Sequence, residues 1–173
     1  RVNARYLPDV ARPAGVLITS QLQLAIDNGA LIVIAVPTSA LRETMRLIVA
    51  AGSSAGVVWL CKGFESGSAK FPHQVAEEEL PSAQPRAALS GPGFAGEVAR
   101  GLPAAVTLAS HDPRFAAFAS RELHTGRLRV YSSDDLVGVE TGGAVKNVIA
   151  IAAGVCDGLQ LGASARAALI PRG

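Results

Sequence analysis

Aromatic side chains are scarce in this chain, at 5% of 173 residues, and lysine occurs only at Lys62, Lys70 and Lys146, against thirteen arginines. With few rings to stack, the core has to be built from Ala, Val, Leu and Ile. Cysteine is limited to Cys61 and Cys156, each in an apolar stretch without metal-ligand spacing. That excludes a disulfide framework and a metal site, and both thiols read as reduced core residues. No basic run interleaved with aromatics occurs and the net charge is only +2, which argues against a nucleic-acid partner. The longest uninterrupted apolar runs, Ala30 to Val36 and Val148 to Cys156, are shorter than the ~20 residues that span a bilayer. No basic-then-apolar signal region opens the chain. The expectation is a cytoplasmic protein without membrane insertion.

Hydrophobic residues make up 49% of the chain, enough for a large core, and eighteen glycines imply many tight turns. The chain opens on Arg1 and closes in ARAALIPRG, within a helical pattern, so it reads as an internal piece of a longer protein. Arg1 to Gly15 is rich in turn residues and reads as an irregular connection, followed by a short strand at Val16–Thr19. SQLQLAIDNG reads as a short helix capped by Ser20, with Leu22, Leu24 and Ile26 buried and Gly29 at its end. Leu31 to Val36 is a continuous β-branched apolar run, the mark of a strand covered on both faces. A helix over PTSALRETMRLIVAAG and a strand over Val57–Cys61 come next. A weak helix over Lys70–Leu80 then presents Glu77, Glu78 and Glu79 as a solvated acidic face. Strands over Ala87–Gly91, Ala104–Ser110 and Arg127–Ser133 alternate with short helices to residue 133, after which the pattern is helical. This predicts an α/β sheet with helices on both faces, then the start of an all-helical part. The boundary falls at residues 133–142, giving units over 1–138 and 139–173.

In an open α/β sheet, ligands gather beyond the carboxyl ends of the strands. Three such ends carry unusual residues: Pro37, Lys62-Gly63 and Gly91-Pro92-Gly93. A second lysine, Lys146, stands as the lone cation in DDLVGVETGGAVKNVIAIAAGVCDG, a segment apolar all the way round and so expected to be packed on most faces. A buried ammonium is costly unless it is paired, neutralised or met by a ligand. Snorkelling out to solvent, or pairing with Glu140 or Asp157, is the ordinary structural alternative.

The stretches VPTSALR, CKGFE, SGPGFAGEVARGLPAAVTLAS, YSSDDLVGVETGGAVKNVIAIAAGVCDG and ARAALIPRG together resemble bacterial NAD(P)-dependent glycerol-3-phosphate dehydrogenase, in order and over essentially the whole chain. The resemblance implies a partial Rossmann-type nucleotide-binding sheet followed by the first helices of a helical substrate domain. It implies hydride transfer between NAD or NADP and dihydroxyacetone phosphate, giving sn-glycerol 3-phosphate for phospholipid synthesis, in a homodimer. By the same resemblance Lys146 is the catalytic lysine, Lys62 contacts cofactor and substrate, Gly91 and Gly93 bind substrate through their backbone, and Ala95 and Pro37 lie at the cofactor. Asn147 orients substrate or Lys146. Hydride arriving at a carbonyl carbon leaves charge on oxygen, which an ammonium stabilises and protonates.

Three positions depart from the family pattern. Gly93 stands for the usual Ser or Thr, Ser164 for Asn, and Pro171 for Thr. The family's Gly-rich phosphate loop is expected before Arg1 and its Arg-Asn phosphate site after Gly173, and no G-x-G-x-x-G pattern is expected within the chain. Two alternatives remain at this level. A β-hydroxyacid or 6-phosphogluconate-type dehydrogenase would place Asn three or four residues after the lysine, where Ile149 and Ala150 stand. An inactive truncated scaffold is the other.

Overall fold

The structure is a computed structural model that describes residues 2–27, 29–93 and 95–170. It opens on a hairpin of β1 (Val2–Asn3) and β2 (Leu7–Ala11), where an irregular connection was expected. Asn3 Oδ1 accepts from the Tyr6 amide at 3.2 Å and closes the turn. Pro8 is tolerated because a two-stranded ribbon leaves amide positions that need no partner. No strand forms over residues 16–19. The first helix, α1 (Leu22–Ile26), begins after Gln21 rather than at Ser20, and Leu24 is exposed.

The main sheet has five strands in sequential order: β3 (Leu31–Ile34), β4 (Gly56–Trp59), β5 (Arg86–Ser90), β6 (Ala104–Ala109) and β7 (Leu128–Ser133). Between them run α2 (Leu41–Ala50), α3 (Pro72–Glu79), α4 (Ala95–Ala99) and α5 (Pro113–Leu123). Alternate residues divide the core by face. Trp59, Val57, Ala88 and Ala109 join Leu41, Met45 and Ile48 of α2 and Val75 and Ala76 of α3. Val58, Ala87, Leu108 and Val130 meet Phe115, Ala116 and Ala119 of α5 on the other face. All four residues of β4 are buried, as a central strand's should be. The apolar run at β3 forms an edge strand instead of one covered on both sides, and Val33 is 44% exposed on the face it shares with Leu31, at the margin of the α5 cluster.

Neighbouring strands are parallel except β5 and β6, which are antiparallel. The reason is the connection. A parallel crossover must carry the chain back along the strand, and α4, at five residues, rises only ~7.5 Å against the ~16 Å of β5. The chain therefore turns and descends beside the strand it left.

On α3, Glu78 and Glu79 are ion-paired where solvation was expected, while Glu77 is exposed as expected. Arg42 of α2 meets Glu65 and Glu78 at 2.8 Å and also pairs with Glu79, while Arg46 meets Glu79 at 2.8 Å and Lys70 pairs with Glu78. The Arg42 guanidinium, with help from the Ser68 hydroxyl, pulls the Glu65 carboxyl down to about 2.

Beyond β7 the chain continues into α6 (Leu136–Gly158) and α7 (Gly162–Leu169). Asp135 caps α6 by accepting from the Gly138 amide at 2.8 Å. Helix α6 is not packed on most faces. Only Leu136, Glu140 and Gly143 are buried among its described residues, and Val148, Ile151 and Val155 are more than half exposed. Cys156, expected in the core, is half-buried there, while Cys61 is buried; both are free thiols. At 23 residues and a mean hydropathy of 1.3, α6 is long and apolar enough by length and composition to cross a membrane. The uninterrupted runs understated this, because the helix continues through Gly142, Gly143 and Lys146. Its first turns, however, lie against the sheet, where Leu136 joins the core.

Candidate active site

Because β3, β4 and β5 run parallel, the loops that follow them emerge on one edge of the sheet. Hydrogen bonds link the three in series. Thr38, after β3, donates through Oγ1 to the Lys62 carbonyl at 2.7 Å. Cys61 Sγ donates to the Val36 carbonyl at 3.1 Å, and burial pushes this thiol up to about 11. Lys62, after β4, donates through Nζ to the Gly91 carbonyl at 3.1 Å, after β5.

Gly91 is required by the fold alone. Its φ is +150°, and a Cβ there would stand 2.8 Å from Val106 Cα and 3.0 Å from the Ala105 carbonyl oxygen on the adjacent antiparallel strand. Gly93 is different. It lies outside the positive-φ region, and a Cβ would meet only Val98 Cγ2 at an ordinary 3.7 Å. A hydroxyl-bearing side chain therefore fits at this departure from the family pattern.

Helix α6 crosses the end of β5 at close range. A Cβ on Gly143 would stand 2.8 Å from Ser90 Oγ and 3.6 Å from Lys62 Cγ. One turn further on, Lys146 lines a cleft of about 380 Å³ with Ser90, Gly91, Thr107 and Gly143. An adjoining cavity of about 360 Å³ is lined by Lys62, Gly91, Gly93, Ala95 and Val98. Ser90 and Gly91 form part of both walls, so the two cavities share the end of β5. Partial desolvation, and then the charge of Lys146, hold the Lys62 amine below the usual lysine range. The carboxylates considered as partners for Lys146 make other bonds: Glu140 accepts from Trp59 and His73, and Asp157 pairs with Arg166 at 3.1 Å.

Lys62, Gly91, Gly93, Ala95 and Lys146 are thus brought to two adjoining cavities. Pro37 is exposed beside them and Asn147 is exposed on α6; neither lines either cavity. Ser164 is exposed on α7 and lines neither cavity, and Pro171 lies outside the described residues. Ser90, Thr107 and Gly143 are cleft residues that pattern reasoning did not assign. A signal existed for Gly143: each glycine within a helix costs about 1 kcal/mol relative to alanine, so the Gly142-Gly143 pair pointed to a close approach.

Gly91, Gly93 and Gly96 do have the G-x-G-x-x-G spacing, between a strand and a helix, which corrects the expectation of no such pattern in the chain. The context is wrong for a dinucleotide loop, which opens a parallel βαβ unit. Here the helix has five residues and the next strand returns antiparallel. A further cavity of about 450 Å³, lined among others by His73, Glu77, Arg86 and His111, holds neither cleft lysine nor any strand-end glycine. Among the described residues no three His, Cys, Asp or Glu side chains gather as a metal site would.

Two family models match the chain: the NAD-dependent glycerol-3-phosphate dehydrogenase N-terminus over residues 1–116, and the C-terminus of the same family over residues 135–173. The glycerol-3-phosphate dehydrogenase [NAD(P)+] of Nitrosospira multiformis is 58% identical over all of this chain, which covers 52% of that protein. The enzyme of the same name from Dechloromonas aromatica is 53% identical, with all of this chain and 53% of the relative covered. The crystal structure of glycerol-3-phosphate dehydrogenase from Coxiella burnetii superposes with a TM-score of 0.86 at 41% identity, covering 99% of this chain and 52% of that one. The chain spans about half the length of these relatives.

Proposed function

Because the chain belongs to the NAD-dependent glycerol-3-phosphate dehydrogenase family, we propose that it supplies the catalytic lysine and part of the nucleotide-binding sheet of an enzyme that interconverts dihydroxyacetone phosphate and sn-glycerol 3-phosphate with NAD or NADP, toward glycerophospholipid synthesis. The observation that carries this reading is that Lys62 and Lys146 line two adjoining cavities that share Ser90 and Gly91 at the end of β5. Ammonium groups in two adjoining cavities that share the end of β5 are suited to anions, and both a phosphorylated triose and a dinucleotide are anions.

When bound, the nicotinamide supplies or accepts the hydride. Lys146 stabilises the charge that develops on the substrate oxygen and delivers a proton to it; in the reverse direction it removes that proton. Lys62 holds the phosphate-bearing ligands at the strand ends through charge-assisted bonds, and its bond to Gly91 keeps the loop after β5 in place. The Gly91 and Gly93 backbone faces substrate, Ala95 and Pro37 border the cofactor, and Asn147 turns toward substrate once the remaining protein surrounds α6.

In this reading residues 1–138 are the nucleotide-binding part and residues 139–173 begin a helical substrate domain. Helix α6 runs unbroken through that boundary and ties the two parts together. Further protein covers its exposed apolar side, in a cytoplasmic homodimer with neither nucleic acid nor membrane as partner. The test is loss of reduced-nicotinamide absorbance when dihydroxyacetone phosphate is added to the complete enzyme. Consumption of NADH or NADPH that depends on this substrate is the expected result; its absence in a folded, cofactor-binding enzyme would reject the proposal.

A further inference from the structure

We infer that Glu140 is a positioning residue: through Trp59 and His73 it sets the rotation of α6, and with it the place of Lys146 in the cleft. The inference rests on the catalytic reading of Lys146.

Glu140 is 5% exposed and is one of only two buried residues in α6 with a side chain beyond Cα, among those described; the other is Leu136. Its carboxylate receives donors from two separate elements. Trp59 Nε1, at the end of β4, donates to Oε1 at 2.8 Å. The backbone amide of His73, in the first turn of α3, donates to Oε1 at 3.0 Å, and His73 Nδ1 bonds Oε2 at 2.6 Å. The first amides of a helix have no partner within it and favour negative charge, so this carboxylate serves as a cap for α3 from another helix.

Stability alone would be met as well by an apolar side chain, since desolvating an ion often costs as much as its pairing returns. Leu136 and Val139 pack α6 against the core, and directional bonds add a rotational constraint to that packing. The docked stretch of α6 carries Gly138, Gly142 and Gly143, which offer no side chains to lock its rotation. Close approach at Gly143 fixes how near the helix lies to Ser90, while the bonds at Glu140 fix which side it turns to the sheet. Lys146 follows Glu140 by six residues, about 9 Å along the axis, within the same unbroken helix. A small rotation at Glu140 therefore displaces the Lys146 amine, and a misplacement of about 1 Å is enough to cost about 10²-fold in rate.

A double-mutant cycle on the complete enzyme tests this, using wild type, Glu140→Gln, Lys146→Ala and the pair. Glu140→Gln is expected to lower kcat about tenfold or more while the KM for cofactor stays within about twofold. In the Lys146→Ala background the same change should alter kcat by less than about twofold, since no amine is left to place. A loss that carries undiminished into that background makes Glu140 a purely structural residue and overturns the inference, as does an unchanged kcat in the single variant. A folded Lys146→Ala enzyme with more than about a tenth of wild-type kcat instead removes the catalytic reading of Lys146 on which the inference rests. Should Glu140→Gln not fold, Trp59→Phe removes one donor and keeps an aromatic ring. The same cycle then expects a loss of about three- to tenfold that vanishes beside Lys146→Ala, and an equal loss in both backgrounds counts against the inference.

Discussion

On the outer side of α2 and α3, Arg42, Arg46 and Lys70 face Glu65, Glu78 and Glu79, whereas at the strand ends Lys62 faces Lys146. Both regions concentrate charge, and they use it in opposite ways. In the first, each carboxylate has a cation at contact distance, Arg42 moves further toward its charged form, and Glu65 ionises more readily. In the second, partial burial and then the approach of the Lys146 charge hold the Lys62 amine below its ordinary range. A balanced cluster lowers its own energy and needs nothing else. The strand ends instead bring two cations to adjoining cavities that share Ser90 and Gly91, an arrangement suited to anionic ligands, as the proposed function requires.

Removing the Lys146 amine, proposed as the proton donor, should give the largest effect. Lys146→Ala in the complete enzyme is expected to cut kcat by about 10²–10⁴-fold with the circular dichroism spectrum unchanged. A folded variant above about a tenth of wild-type turnover would show that the cleft does not act through this residue.

Lys62→Ala should follow, with a ten- to hundredfold rise in the Michaelis constants for cofactor and substrate, from the loss of a charge-assisted bond worth about 1.5–3 kcal/mol. Unchanged constants for both ligands would leave only its bond to Gly91 and make Lys62 a structural residue.

The balanced cluster predicts the reverse pattern, altered stability with little change at the cleft. Arg42→Ala should lower the melting temperature by about 2–4 °C, near 1 kcal/mol for a partly exposed network, and leave both Michaelis constants alone. The sign with pH follows from the depressed carboxyl of Glu65. Its contribution is complete above the unfolded value of 4.5 and is lost as pH falls toward about 2. Glu78 and Glu79 are lowered in the same direction by Lys70, Arg46 and Arg42. Melting temperatures measured across that interval should fall more steeply in wild type than in Arg42→Ala; parallel curves would contradict the account.

The smallest change is expected at Gly93. With room for a Cβ and no positive φ, Gly93→Ser should add one neutral hydrogen bond to substrate, about 0.5–1.5 kcal/mol, or a few-fold lower Michaelis constant. If a variant of equal thermal stability bound substrate no better, this position would act only through its backbone.

Much of this arrangement was legible in the order of residues. The runs Leu31–Ile34, Gly56–Trp59 and Ala104–Ala109 announce strands because β-branched and apolar residues persist over four to six positions. Leu41, Met45 and Ile48 recur at helical spacing and do form the buried face of α2. Lys62 and Lys146 stood out because an ammonium beside an apolar run needs a reason. These are local properties, carried by side-chain shape and period, and they hold whatever the rest of the chain does.

Other features depend on which parts of the chain meet. The antiparallel return of β6 came from a helix too short to carry the chain back, and it turned a glycine spacing suggestive of a phosphate loop into a different turn. Glu79 of α3 is paired because α2, more than thirty residues earlier, presents Arg42 and Arg46 beside it. Glu140 is buried among donors from β4 and α3 that lie 81 and 67 residues away in sequence. No window along the chain contains those partners. Periodicity therefore determined which segments became strands and helices and marked the two lysines, while the tertiary structure decided which charges meet like charges and which meet opposite ones, since Coulomb interactions act across space and not along the chain.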